Sequence, residues 1–102
     1  MREYADVDDV IEAWVAQTGS TLFRGWGGKP ARFFYLGRPA PFECFMVAVF
    51  VGAEGWFDVQ AASIETNDGA EMMEVWQGPA NQMNSLLLNA MATIKTWKER
   101  PQ

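Results

Sequence analysis

The chain is predicted to be one α+β domain: an N-terminal helix, an antiparallel meander of four or five strands and a C-terminal helix, with both helices on one face of the sheet. Three observations predict it. Apolar residues recur at helical spacing near each end; between them stand short runs of aromatic and β-branched residues; and glycine-bearing turns separate those runs. The 102 residues match the usual size of one domain, so 1–102 is read as a single unit with one core.

The first helix is placed over Asp6 to Thr18. Val7, Val10, Ile11, Trp14 and Val15 form one stripe, and Asp8, Asp9, Glu12 and Gln17 lie mostly on the other side. Asp6 is the expected N-cap, Asp8 and Asp9 suit the positive end of the helix dipole, and Gly19 supplies the stop. Together with Glu3, these acids also offer a docking surface for a basic partner, although helix capping accounts for them more simply.

Strands are expected near residues 20–26, 31–36, 42–52, 56–65 and 70–77. Gly27-Gly28-Lys29-Pro30, Gly37-Arg38-Pro39, Ala53-Glu54-Gly55 and Asn67-Asp68-Gly69 mark the turns. Gly25-Trp26-Gly27-Gly28-Lys29-Pro30 lacks the Gly-Lys-Ser/Thr ending of a phosphate-binding loop and precedes a strand, so it is read as a β-turn. After Gly78-Pro79, Met83, Leu87, Ala90, Ile94 and Trp97 form a second helical stripe, broadened by Leu86 and Met91. Lys95, Lys98 and Arg100 favour the helix C-terminus, and Pro101 closes it.

The three-residue loops Ala53-Glu54-Gly55 and Asn67-Asp68-Gly69 predict the pairing of the strands they join. Gly52 should face Trp56 and Thr66 should face Ala70. Val49 then lies opposite Val59, Ala48 opposite Gln60, and Gln60 opposite Trp76. One face carries Phe45, Val47, Val49, Val51, Phe57, Val59, Ala61, Met73 and Val75, the expected core. The other carries Phe42, Cys44, Met46, Ala48, Phe50, Trp56, Ala62, Ile64, Met72 and Trp76, with Asp58, Gln60 and Glu74 among them.

That second face is too apolar for water, because a strand greasy on both sides normally lies inside a covered sheet. A homodimer packed sheet against sheet is the expected cover. Met46, Ala48, Trp56, Asp58, Gln60, Glu74 and Trp76 are the candidate interface or ligand-binding residues. Carboxylates beside indole rings would suit a small cationic or aromatic ligand. The sequence therefore predicts a non-catalytic binding protein for a protein partner or small molecule. The alternative is a small acid–base isomerase or hydrolase using a desolvated Asp58 or Glu74, with Glu43 a third carboxylate near a strand end.

Several classes lose weight. There is no histidine, and the one cysteine, Cys44, sits in an apolar strand as a buried thiol would, so no metal site, cofactor or catalytic set is nominated. The net charge of −5 disfavours general attraction to nucleic acid. The acid-free stretch from Ala13 to Phe42 does hold Arg24, Lys29, Arg32 and Arg38 among aromatics, but it lacks an RNA-recognition consensus and its cations are few. Phe42 to Gly52, interrupted by Glu43, is about half the roughly twenty residues of a membrane span. The first residues are acidic where a secretory signal is basic and then apolar, so a cytoplasmic location is expected.

Overall fold

The computed structural model describes residues 4–37, 44–52, 55–65 and 71–99. A 3-10 turn at Tyr4–Asp6 leads into α1 (Asp8–Thr18), which is followed by β1 (Phe23–Trp26), β2 (Lys29–Gly37), β3 (Cys44–Val51), β4 (Trp56–Glu65) and β5 (Met73–Pro79). A second 3-10 turn at Ala80–Gln82 then opens α2 (Met83–Lys98). The five strands pair in chain order, all antiparallel, so the α+β meander expected from the sequence is the observed architecture. The segment 20–26 does contribute a strand, a short one at the sheet edge. No helix among the described residues is long and apolar enough to cross a membrane.

The helical stripes become the roof of the core. Val7, Ile11 and Val15 from α1 and Met83, Leu86, Leu87, Ala90 and Ile94 from α2 are buried in one cluster with Phe34, Leu36, Phe45, Val47, Val49, Phe57, Val59 and Ala61. Those sheet residues share one face, so both helices cover the same side. Trp14 Nε1 donates to Asn84 Oδ1 at 2.8 Å, tying the helices to each other.

Gly19 ends α1 as expected. At φ 69° its N–H donates to the Ala16 carbonyl and the Ser20 N–H to that of Val15, a paired arrangement that satisfies the last carbonyls. Asp6 is not the N-cap. The helix begins two residues later, Val7 occupies the cap position, and no side chain caps it. The reason is packing: Val7 is buried in the core, and the 3-10 turn that puts it there, closed by Val7 N–H to Tyr4 C=O at 2.9 Å, displaces the helix start.

The β3–β4 pairing follows the sequence reading: Val49 faces Val59 and Ala48 faces Gln60, while Gly52 N–H donates to the Trp56 carbonyl at 2.8 Å beside a left-handed Gly55. The β4–β5 pairing does not. Gln60 faces Val75, and Trp76 faces Val59, one residue from the expected register. The hydrogen bonds of Ser63 to Met72, N–H to carbonyl at 2.9 Å and Oγ from N–H at 2.7 Å, hold the same offset. Residues 66–70, where the second turn was placed, lie outside the described residues.

A one-residue slip exchanges the faces of an entire strand, and β5 shows it. Met72 and Trp76 turn toward the helices and pack against the core, while Met73 and Val75 emerge on the opposite face. The offset allows Trp76 to shelter its indole and sets Gly78 opposite Phe57, beneath α2. A Cβ on Gly78 would stand 3.1 Å from Gln82 Oε1 and 3.3 Å from Leu86 Cδ1. The exposed Gln82 can swing away, but the buried Leu86 cannot do so freely. Gly78→Ala is therefore expected to cost about 1–2 kcal/mol through overpacking, with Gly78→Val costing more, as urea denaturation would read.

Candidate functional site

The face of the sheet away from the helices is built by alternate residues of all five strands. Phe23, Phe33, Tyr35, Met46, Ala48, Phe50, Trp56, Asp58, Gln60, Met73, Val75 and Gln77 occupy its paired positions. Small residues at its centre, Ala48 and Ala62, are buried by their neighbours. The larger ones stand out: Trp26 is 72 % exposed, Met73 63 %, and Trp56 and Val75 48 % each. Six large apolar side chains, these four with Phe23 and Phe50, are thus exposed on one side of a sheet whose other side is roofed. Monomers seldom leave so many large apolar side chains uncovered on one face.

Of the seven candidate residues, Met46, Ala48, Trp56, Asp58 and Gln60 share this face. Asp58 lies opposite Phe50 on one side and Gln77 on the other, and Gln60 lies between Ala48 and Val75. Glu74 and Trp76 are elsewhere. Both project to the helix side of β5, where Trp76 packs against the core and Glu74 is exposed. The expected cluster of two carboxylates with two indoles is therefore not formed. The register slip that took Trp76 inward took Glu74 with it, leaving Asp58 as the carboxylate of this face among the candidates. Glu43 lies outside the described residues.

In place of that cluster the sheet presents four aromatic rings at its β1–β2 end. Phe23 and Phe33 stack with centroids 5.1 Å apart and planes 11° from parallel. Tyr35 meets both edge-on at 5.7 and 5.9 Å, and Trp26 meets Phe33 edge-on at 5.9 Å. These are the favourable offset and T-shaped geometries of aromatic pairs. The hairpin makes them possible: Gly27 and Gly28, at φ 60° and 80°, form the two-residue turn that sets Trp26 opposite Lys29. Beside the rings lies a cavity of about 400 Å³ floored by Met46, Ala48 and Phe50, with Lys29 and Pro30 at its margin. Phe33 and Tyr35 alternate with Phe34 and Leu36 as core residues do; only the pairing of Phe33 with Ala48 reveals that they line the other face.

The charges between helix and hairpin pair with one another. Asp8 accepts from Arg32 Nε at 2.7 Å and from Nη2 at 3.2 Å, and Arg24 reaches Glu12 at 3.1 Å and Asp8 at 3.8 Å. The Arg32 guanidinium also lies 4.6 Å from the Tyr4 ring centroid. The hydrogen bond it donates to Asp8 holds its pKa above the ordinary guanidinium value, against the opposing effect of burial. Two of the acids of α1 and two of the cations of the acid-free stretch are thus joined to each other.

A larger cleft of about 710 Å³ separates the end of α1 from α2, with Lys95 and Lys98 on its wall. Its hydroxyls have local work: Thr18 Oγ1 donates to the Val15 carbonyl and reaches Ser20 Oγ, which donates to the Tyr35 carbonyl. No group of three or more cysteine, aspartate or glutamate side chains among the described residues is placed to hold a metal ion.

The fold and the site together define a two-layer α+β domain with a helix-roofed sheet and an open aromatic face. No protein-family model, curated protein or solved structure matches the chain.

Proposed function

We propose that the chain is a non-catalytic binding protein that works through the open face of its sheet, pairing there with a second copy of itself. The observation that carries this reading is the exposure of Phe23, Trp26, Phe50, Trp56, Met73 and Val75 on one side of a sheet whose other side is roofed by both helices.

Area and edges both support a face-to-face pair. Five strands spaced ~4.8 Å apart and about seven residues long cover roughly 550 Å² in projection. Two such faces bury about 1,100 Å², which clears the ~1,000 Å² expected of a biological interface. Pairing through the edges is less favourable. At one edge β1 is short and irregular, and at the other β5 carries Glu74 on its helix side and ends in Pro79, features that blunt edge-to-edge association. The acid–base alternative would use a desolvated Asp58 or Glu74, and Glu74 is exposed on the helix side of β5.

Sedimentation at micromolar concentration should give a dimer. Val75→Glu and Met73→Glu are suitable variants because both side chains are exposed in the single chain, so a charge there should shift the protein to monomer with the far-UV circular dichroism unchanged. A wild type that stays monomeric throughout that concentration range would remove the dimer from this reading.

A further inference from the structure

We infer that the cavity beside Trp26 and Phe33 is a binding site for a small planar aromatic anion, such as an aryl carboxylate. The inference rests on the reading of this face as a binding surface and names what one end of it takes.

Size is the first reason. At about 400 Å³ the cavity falls at the small end of ligand pockets, which range over roughly 300–1,000 Å³ and suit one or two fused rings at that end. Shape and surface are the second. Phe33 is already stacked on Phe23 and edge-on to Tyr35 and Trp26, so the cluster presents rings to a further ring in arrangements aromatic pairs favour, over a floor of Met46 and Ala48.

Charge is the third reason, and it decides the class. Two cationic residues line the cavity, Arg32 and Lys29. Arg32 is neutralised by Asp8, with its Nη1 also donating to the Ala31 carbonyl at 2.7 Å. Lys29 makes no salt bridge among the described residues and is exposed at the hairpin. One uncompensated ammonium beside an apolar aromatic cavity matches a ligand with a flat ring body and a single negative group. A cationic ligand would meet that ammonium with repulsion; Asp58, the candidate carboxylate of this face, stands on β4 opposite Phe50 of the cavity floor, and no salt bridge among the described residues joins it to Lys29.

The site also has the parts of an adjustable mouth. Trp26 and Lys29 flank the Gly27-Gly28 turn, and Trp26 is 72 % exposed with its ring edge on Phe33. Rotation of that indole would lay it over an incoming ring.

The test is isothermal titration of the full chain with 2-naphthoate, 2-naphthylmethanol and 2-naphthylmethylammonium, which share a ring body and differ in charge. Saturable binding of naphthoate in the submillimolar range is expected, about tenfold tighter than the alcohol, with the ammonium compound weakest. Lys29→Gln should bring naphthoate to the level of the alcohol, and Trp26→Ala should weaken both. Each side chain is exposed, so far-UV circular dichroism should report an intact fold. Equal affinity for the three compounds, no saturation by naphthoate, or naphthoate binding indifferent to Lys29→Gln would overturn the inference. Repeating the titration on Val75→Glu, whose substitution lies on a distant strand, separates it from the dimer. Naphthoate binding by the monomeric variant supports the site whether or not the wild type dimerises, and a folded, monomeric Val75→Glu chain that ignores naphthoate overturns the site alone.

Discussion

Phe57→Ala is expected to lower the free energy of unfolding by about 3–5 kcal/mol, whereas Trp56→Ala, one residue earlier, should cost less than about 2 kcal/mol. The two rings stand on opposite faces of β4. Phe57 is fully buried, set between Val51 of β3 and Gly78 of β5 and packed into the cluster under the helices. Truncating it forfeits the transfer energy of a ring and leaves a cavity, because Gly78 across the strand has no side chain to move in. Trp56 is 48 % exposed and opposite Pro79, so its removal forfeits only the covered half of the ring and leaves no closed cavity. For a domain of this size the first loss corresponds to a fall in Tm of about 15–30 °C. Urea denaturation at a protein concentration low enough to keep the chain monomeric measures both. Comparable losses at the two positions would mean that the sheet's faces have been exchanged.

That pair of variants tests what the sequence conveyed best. The alternation through Phe45, Val47 and Val49 and through Phe57, Val59 and Ala61 is unbroken, and the Ala53-Glu54-Gly55 turn is short enough to fix how the two strands meet. Both constraints agree, and the observed register of β3 with β4 follows. Helical spacing located α1 and α2 for the same reason: each stripe has a single way to face a core.

On β5 the two constraints disagree. Met72, Trp76 and Gly78 compete with Met73 and Val75 for the inner face, and an apolar pattern with candidates on both sides cannot choose between them. Turn chemistry at Asn67-Asp68-Gly69 pointed to one register. Shelter for the indole of Trp76 and the close approach of α2 over Gly78 favour the other, and those are tertiary terms that no local window contains. The displaced Glu74 tolerates the helix side because β5 is an edge strand, where its carboxylate stays exposed. The aromatic cavity was hidden for a related reason. Phe33 and Tyr35 look like core residues until their partners Ala48 and Met46 are known, and the segment between β2 and β3 carried no turn signal strong enough to set that pairing.

Arg32→Ala should cost about 2–3 kcal/mol, the range for charged hydrogen bonds lost from a partly buried site. It removes two bonds to Asp8, at 2.7 and 3.2 Å, the bond to the Ala31 carbonyl, and the guanidinium over Tyr4. The cost falls on folding because these contacts clamp the start of α1 to β2, and Asp8 keeps only the longer approach of Arg24 at 3.8 Å. Arg32→Lys should recover part of the loss, since an ammonium cannot reproduce the forked contact. Arg24→Ala is the control: its pair with Glu12 is half-exposed on both sides and should be worth less than about 1 kcal/mol and fade with salt, while the Arg32 effect persists. The pH dependence has a definite sign. A guanidinium whose pKa is raised in the folded chain contributes stability that is fully present below its ordinary value and is lost only as pH climbs through the raised one. The stability gap between wild type and Arg32→Ala should therefore not shrink between neutral and moderately alkaline pH, and chemical denaturation at pH 7 and pH 9 would reveal any contrary trend.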